Sequence, residues 1–104
     1  MNEKGEKFDS EKIMLQLFPP EALFEIGAVL TYGAKKYAPR NWEKGIEYSR
    51  VYGALQRHLW AWWGGEENDP ESGLPHLAHA GCCLVFLLAF EKRGMKEFND
   101  KPNG

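Results

Sequence analysis

Leu74-Pro75-His76-Leu77-Ala78-His79-Ala80-Gly81-Cys82-Cys83-Leu84-Val85-Phe86-Leu87-Leu88-Ala89-Phe90 is the stretch on which the fold turns. It carries no formal charge, and apolar residues lie on every side of it. The spacing predicts a helix from His76 to about Glu91, stopped by Gly94. The run resembles a membrane span at first, but it is short for one. It also carries two histidines and has no flanking basic anchors. It is therefore expected to be a central helix, covered by its neighbours or by a second subunit.

Two of the chain's three histidines open this helix, three residues apart. Residues at i and i+3 share a helix face, so His76 and His79 point the same way. Just before them runs an acidic loop with Glu66, Glu67, Asp69 and Glu71. Imidazoles and carboxylates converging at one helix mouth have the composition of a divalent-metal site. The plainer alternative is a wet helix end with a capping, solvated turn.

At 104 residues the chain is expected to be a single domain, residues 1–104, with residues 1–10 and 96–104 mobile. Hydrophobic content of 43% and charged content of 27% are globular values. A net charge of −2 and the lack of a basic run argue against a nucleic-acid polymer as partner. The polar, charged N-terminus does not read as a signal peptide, and no membrane association is expected. Cys82 and Cys83 are adjacent on the predicted helix and point about 100° apart, which does not suit a disulfide. They read as small buried residues of a reducing, cytoplasmic compartment.

Working outward, Ile13, Leu15 and Leu17 alternate ahead of Phe18-Pro19-Pro20. This is expected to be an extended arm packed on the body. The prolines then open a helix with Leu23, Ile26, Leu30 and Tyr37 on its buried face. Glu21 and Glu25 lie four apart on it, a spacing at which two carboxylates can face one cation; two surface glutamates are the plainer alternative. Pro39 forces a loop over residues 38–45. Lys35, Lys36 and Arg40 come close together here, with Asn41 and Trp42 interleaved. Cations suit phosphates, an indole can stack on a base, and an amide can read a base edge or sugar hydroxyl. A dipole-compensated helix end followed by an anchored loop would use the same residues. Ser49 is the expected N-cap of a further helix, Arg50 to Trp63. His58 lies in its apolar stripe, and Arg57 beside it points elsewhere, toward a phosphate or a carboxylate. A Gly64-Gly65 turn sends the chain back, so His58 could share a site with His76 and His79.

Several phrases together resemble a known family: Leu17-Phe18-Pro19-Pro20-Glu21-Ala22-Leu23, Tyr32-Gly33-Ala34-Lys35-Lys36-Tyr37, Asn41-Trp42, Arg57-His58-Leu59, Gly65-Glu66 with Asp69, and residues 73–79. The chain resembles the phage dATP/dGTP diphosphohydrolase family in its N-terminal domain type, a branch similar to the MazG-like all-α nucleotide pyrophosphohydrolases. The resemblance spans residues 8–91. It implies a helical, oligomeric, metal-dependent enzyme that cuts purine deoxynucleoside triphosphates to monophosphates, in the host cytoplasm if phage-encoded. The MazG-like pattern holds magnesium with glutamates on one helix and a Glu-x-x-Asp on the next. Here His76-Leu77-Ala78-His79 stands in the Glu-x-x-Asp place. The first set is answered by Glu21 and Glu25, or by Glu66 with Asp69. Imidazole ligands favour manganese or another transition metal over magnesium.

The expected fold is all-α: a compact helical bundle of three main helices with an extended N-terminal arm, completed by homo-oligomerisation. The expected site has metal ligands His58, Glu66, Asp69, His76 and His79. Glu25 or Glu21 would orient or deprotonate water, while Lys35, Lys36, Asn41, Trp42 and Arg57 would bind the nucleotide. The cofactor is a divalent metal, with Mn2+ favoured over Mg2+. The competing expectation is a non-catalytic module, stabilised by a metal, that senses nucleotides or binds a protein partner. A histidine-aspartate phosphohydrolase is disfavoured because no adjacent His-Asp dipeptide occurs.

Overall fold

Three amphipathic or apolar segments become helices, each between identifiable stop signals. In the computed structural model, which describes residues 5–6 and 10–104, they are α1 (Pro20–Lys36), α2 (Tyr48–Trp63) and α3 (His76–Lys92). Three short 3-10 turns, Leu15–Leu17, Asn41–Lys44 and Lys96–Phe98, punctuate the connections. No named strand forms among the described residues; one isolated bridge joins Asn68 and Pro75. Pro20 opens α1, where a missing N–H costs nothing, and Lys35 and Lys36 close it at the negative end of its dipole. Gly94, at φ +66°, ends α3 in the left-handed conformation, and Met95 N–H returns to the Phe90 carbonyl.

The start of α2 differs from expectation. Its N-cap is Glu47, which makes no side-chain cap bond, and Ser49 lies inside the first turn. The cap comes instead from far along the chain. Asp100 accepts hydrogen bonds from the Ser49 N–H, at 2.8 Å, and from the Ser49 hydroxyl. A carboxylate at the positive end of the helix is thus supplied through tertiary structure, which local spacing does not reveal. Within residues 96–104, expected as a mobile polar tail, Phe98 and Asp100 meet the start of α2. Phe98 packs against Gly45: a Cβ at Gly45 would sit 2.1 Å from Phe98 Cε2, and Gly45 has φ +105°. Only glycine fits both demands.

α2 and α3 form an antiparallel hairpin with Tyr48, Val51, Leu55, Ala80, Cys83 and Phe90 at its heart. Tyr48 and Phe90 stack near the open end, centroids 6.1 Å apart, and Phe90 is fully buried. Burying a side chain of this kind stabilises the fold by roughly 1.5–3 kcal/mol. α1 lies across α3, and Val29 meets Ala78 and Cys82 there. Small residues permit that approach: a Cβ at Gly81 would come 2.8 Å from Ile26 Cδ1.

The N-terminal arm does not pack on the body in a single chain. Residues 10–20 are all exposed, including Ile13, Leu15, Leu17 and Phe18. Residues 1–4 and 7–9, where most of the expected mobile N-terminus falls, lie outside the described residues. Nor is the single chain compact. Its radius of gyration is 17.4 Å, against about 13 Å for a compact chain of ~100 residues. Tyr52, Leu59, Leu84 and Leu88 are exposed along the hairpin, and Trp60 and Trp63 more so at its turn. Among the described residues, no helix is long and apolar enough to cross a membrane.

Candidate metal centre

The centre is built where the α2–α3 hairpin turns. Gly65, at φ +106°, lets the chain leave α2, and Glu66 N–H bonds back to the Ala61 carbonyl at 3.0 Å. Residues 66–75 then form a loop tied by its own backbone. Asp69 N–H donates to the Leu74 carbonyl at 2.8 Å, Gly73 N–H to the Asp69 carbonyl at 2.7 Å, and His76 N–H to the Glu67 carbonyl at 2.8 Å. The last of these satisfies an amide that the first turn of α3 leaves without an intrahelical partner. The Asp69 carboxylate accepts from Ser72 N–H at 2.9 Å, and the Ser72 hydroxyl accepts from Leu74 N–H at 3.1 Å.

His58 from α2 and His76 from α3 meet across this turn, their Nδ1 atoms 2.9 Å apart. His76 is buried, and its Nε2 lies 2.7 Å from Glu66 Oε1. The carboxylate can only accept, so Nε2 carries the proton and Nδ1 presents its lone pair to the centre. His79 stacks on His58, rings 4.6 Å apart and nearly parallel, and its Nε2 lies 2.7 Å from the Ser72 hydroxyl. One ligand atom each from His58, Asp69 and His76 falls within 4.8 Å of the others.

That set suits a transition-metal ion. Two nitrogens each about 2.1 Å from a cation, at roughly a right angle, stand ~3 Å apart, as the two Nδ1 atoms do. Two imidazoles and a carboxylate are a donor set for manganese, iron, cobalt, nickel or zinc rather than magnesium. Electrostatics favour the ligating forms. Burial, then the neighbouring imidazoles, lowers the His58 pKa. Burial also lowers that of His79, with His76 adding and Asp69 opposing. For Asp69, burial pushes upward but the hydrogen bonds from Ser72 outweigh it, and the carboxyl sits below its ordinary value. Neutral imidazoles and an ionised carboxylate are what a cation requires.

The loop is also latched to α1. Glu71 accepts a hydrogen bond from the Tyr32 hydroxyl at 2.8 Å and pairs with Lys36. The Lys36 bond, then the Tyr32 bond, lowers the Glu71 pKa, and the same Glu71 bond raises that of Lys36.

The expected site residues thus fall into three groups. His58, Asp69 and His76 converge, while Glu66 and His79 border them, Glu66 as partner of His76 and His79 as partner of Ser72. Lys36 is engaged by Glu71, Lys35 is exposed, and Asn41 begins a 3-10 turn, its N–H bonded to the Ala38 carbonyl at 3.2 Å. The Trp42 ring stacks on Phe86 at 4.6 Å and has the Arg93 guanidinium over it at 5.3 Å. Arg57 is exposed and reaches back over Gly53. Glu21 and Glu25 are exposed on the N-terminal half of α1. At 1.5 Å per residue they stand about 16 and 10 Å along the helix from Tyr32. Sequence spacing did not single out Ser72 or Tyr32. Ser72 reads there only as turn chemistry, although Tyr32 precedes Lys36 by one helical turn.

Comparison with known proteins places the chain in a family. The family described as dATP/dGTP diphosphohydrolase, N-terminal, matches residues 2–101. A protein of Salmonella phage PMBT28 named dATP/dGTP diphosphohydrolase is 37% identical over 84 residues. That match covers 81% of this chain but 29% of the phage protein. No solved structure matches. The chain belongs to the dATP/dGTP diphosphohydrolase N-terminal family.

Proposed function

We propose that the chain is a metal-dependent nucleotide hydrolase domain that converts purine deoxynucleoside triphosphates, dATP and dGTP, to monophosphates. The observation that supports this most is the convergence of His58, Asp69 and His76, one ligand atom each within 4.8 Å, in a chain of this family. These three residues would hold the ion, and Mn2+ is favoured because it accepts both nitrogen and oxygen donors. A divalent cation bound there supplies Lewis acidity, neutralising phosphate charge and acidifying water.

The chain's own residues would do the rest. Glu66 holds the proton of His76 on Nε2 and so fixes the ring that carries the ligating Nδ1. Its half-exposed carboxylate lies on the far side of the His76 ring from the ligating Nδ1, so it would act through that ring. Glu21 and Glu25, the residues expected to orient or deprotonate water, lie farther along α1. Lys35 and Arg57 would supply positive charge for phosphates, joined by Lys36 where it releases Glu71, and Asn41 would contact the nucleotide from the α1–α2 connection. The apolar face of the hairpin and the exposed arm are proposed to be covered in a homo-oligomer, since an α3 apolar on all sides is a helix made for burial. The proposed setting is the host cytoplasm, consistent with two free, buried cysteines.

A second reading has its own support. The family is an N-terminal one, and the chain spans 29% of the phage relative. The relative's activity could therefore need the remainder of that protein, with this domain serving as a metal-stabilised module that binds nucleotide or a protein partner. Chelation separates the two. A structural ion holds the fold, so EDTA would unfold the chain; a catalytic ion leaves most helix content intact when removed. Circular dichroism with and without EDTA, beside hydrolysis of dATP and dGTP, reads both.

A further inference from the structure

An open cleft of about 470 Å³ runs between the end of α1 and the α2–α3 hairpin, one helical turn from the metal centre at its nearest lining residues, Arg57 and Cys83. Its walls include Tyr37, Arg50, Gly53, Arg57, Cys83 and Phe86, and among the described residues no carboxylate lines it. Arg50 and Arg57 are two turns apart on one face of α2, about 10 Å along the axis. Between them lies Gly53, so the floor carries no side chain there. The Arg57 guanidinium reaches back over that glycine: a Cβ at Gly53 would meet its Nη1 at 3.5 Å. Tyr37 stands at the mouth, largely exposed, with Lys36 Nζ 5.3 Å from its ring centre. Arg50 also has Glu47 at 3.5 Å, an exposed pair three residues apart, of the kind that contributes little.

From this we infer that the Tyr37–Arg50–Arg57 cleft is the nucleotide subsite. The phosphate chain would lie between the two guanidiniums and the purine against the Tyr37 ring. The inference rests on the hydrolase reading and deepens it. Guanidinium groups suit phosphate oxygens through paired, charge-assisted hydrogen bonds. A phenol ring offers a purine a face for stacking. The volume is that of a small-molecule site. The position is right as well, because Arg57 adjoins His58 on α2 and Cys83 lies one turn below His79 on α3. Arg57 itself reaches back from His58 toward Gly53, so the end of a triphosphate extending past Arg57 is what would meet the metal ligands. Arg50 and Tyr37 are positioning residues in this arrangement, since neither reaches the metal ligands.

The test is a binding titration of the full chain with Mn2+, using a non-hydrolysable α,β-imido purine deoxynucleoside triphosphate and inorganic tripolyphosphate. Arg50→Ala and Arg57→Ala are each expected to weaken both probes about tenfold. Tyr37→Ala is expected to weaken the nucleotide and leave tripolyphosphate unchanged. All three residues are exposed, so circular dichroism should match the parent chain, and Mn2+ affinity of Arg50→Ala and Tyr37→Ala should be unaltered. If the parent chain binds nucleotide and Arg50→Ala and Tyr37→Ala bind it equally well, the cleft assignment is overturned while the hydrolase reading stands. Weakened binding in these variants, with no turnover by the parent chain, supports the cleft and removes the hydrolase reading. No binding of either probe by the parent chain overturns both.

Discussion

His58 and His76 face each other through like atoms, Nδ1 to Nδ1, at 2.9 Å. Without a cation, one nitrogen must donate and the other accept. His76 gives its proton to the Glu66 side, so its Nδ1 accepts and His58 Nδ1 must donate. A cation between them would require His58 to move that proton to its other nitrogen. His58 and His76 would then both hold the ion, in place of the hydrogen bond between them. His76→Ala should lower Mn2+ affinity at least a hundredfold in calorimetric titration while retaining helix content. Unchanged affinity would take these residues out of the metal site.

Glu66 acts on the centre through His76, and its removal should be milder. Glu66→Gln can still meet the ring but holds its proton less strongly. Mn2+ affinity should fall by roughly ten- to a hundredfold, the usual effect of losing a partner that orients a ligand. A loss as complete as that of His76→Ala would instead make Glu66 a ligand itself.

Acid should destabilise the metal-free chain through the histidines. Burial first, then neighbouring imidazoles, depresses the His58 pKa, and burial depresses that of His79. In the unfolded chain both return to about 6.5. The unfolded state then binds more protons as pH falls, so stability is fully present above about 6.5 and drops as pH declines toward the folded values. Urea midpoints in EDTA should fall between pH 7.5 and pH 5.5. His58→Gln should flatten that dependence, and an equal slope in the variant would contradict the assignment.

Gly81 sets how closely α1 approaches α3. Gly81→Val places carbon against Ile26, where a Cβ already comes within 2.8 Å. Chemical denaturation should show a loss of about 1–3 kcal/mol, the range for overpacking a fitted contact. A compensating Ile26→Ala should recover part of it.

The helices were legible because apolar spacing and stop residues are local properties. Pro19-Pro20, the Gly64-Gly65 turn and Gly94 mark their ends in the sequence as in the structure. The meeting of His58 with His76 was legible in outline, from a short turn joining two helices. What lay hidden depends on partners distant in sequence. Nothing near Ser49 shows that Asp100, beyond α3, caps α2. Trp42 on a loop beside cations reads as an available aromatic, and only tertiary packing puts Phe86 on its ring. The division among five expected ligands, with His79 drawn to Ser72 and Glu66 to His76, follows from side-chain hydrogen bonds that spacing cannot resolve. The arm's alternating apolar residues implied a surface to cover, and a single chain does not provide it.

The most direct test is product analysis on the purified chain with Mn2+. dATP, dGTP, their ribonucleotide counterparts and pyrimidine deoxynucleotides would each be offered, and products separated by ion-exchange chromatography. The hydrolase account predicts deoxynucleoside monophosphate from dATP and dGTP, lost in EDTA and in His76→Ala. Absence of turnover on every nucleotide, by a folded chain that has bound its metal, would contradict it.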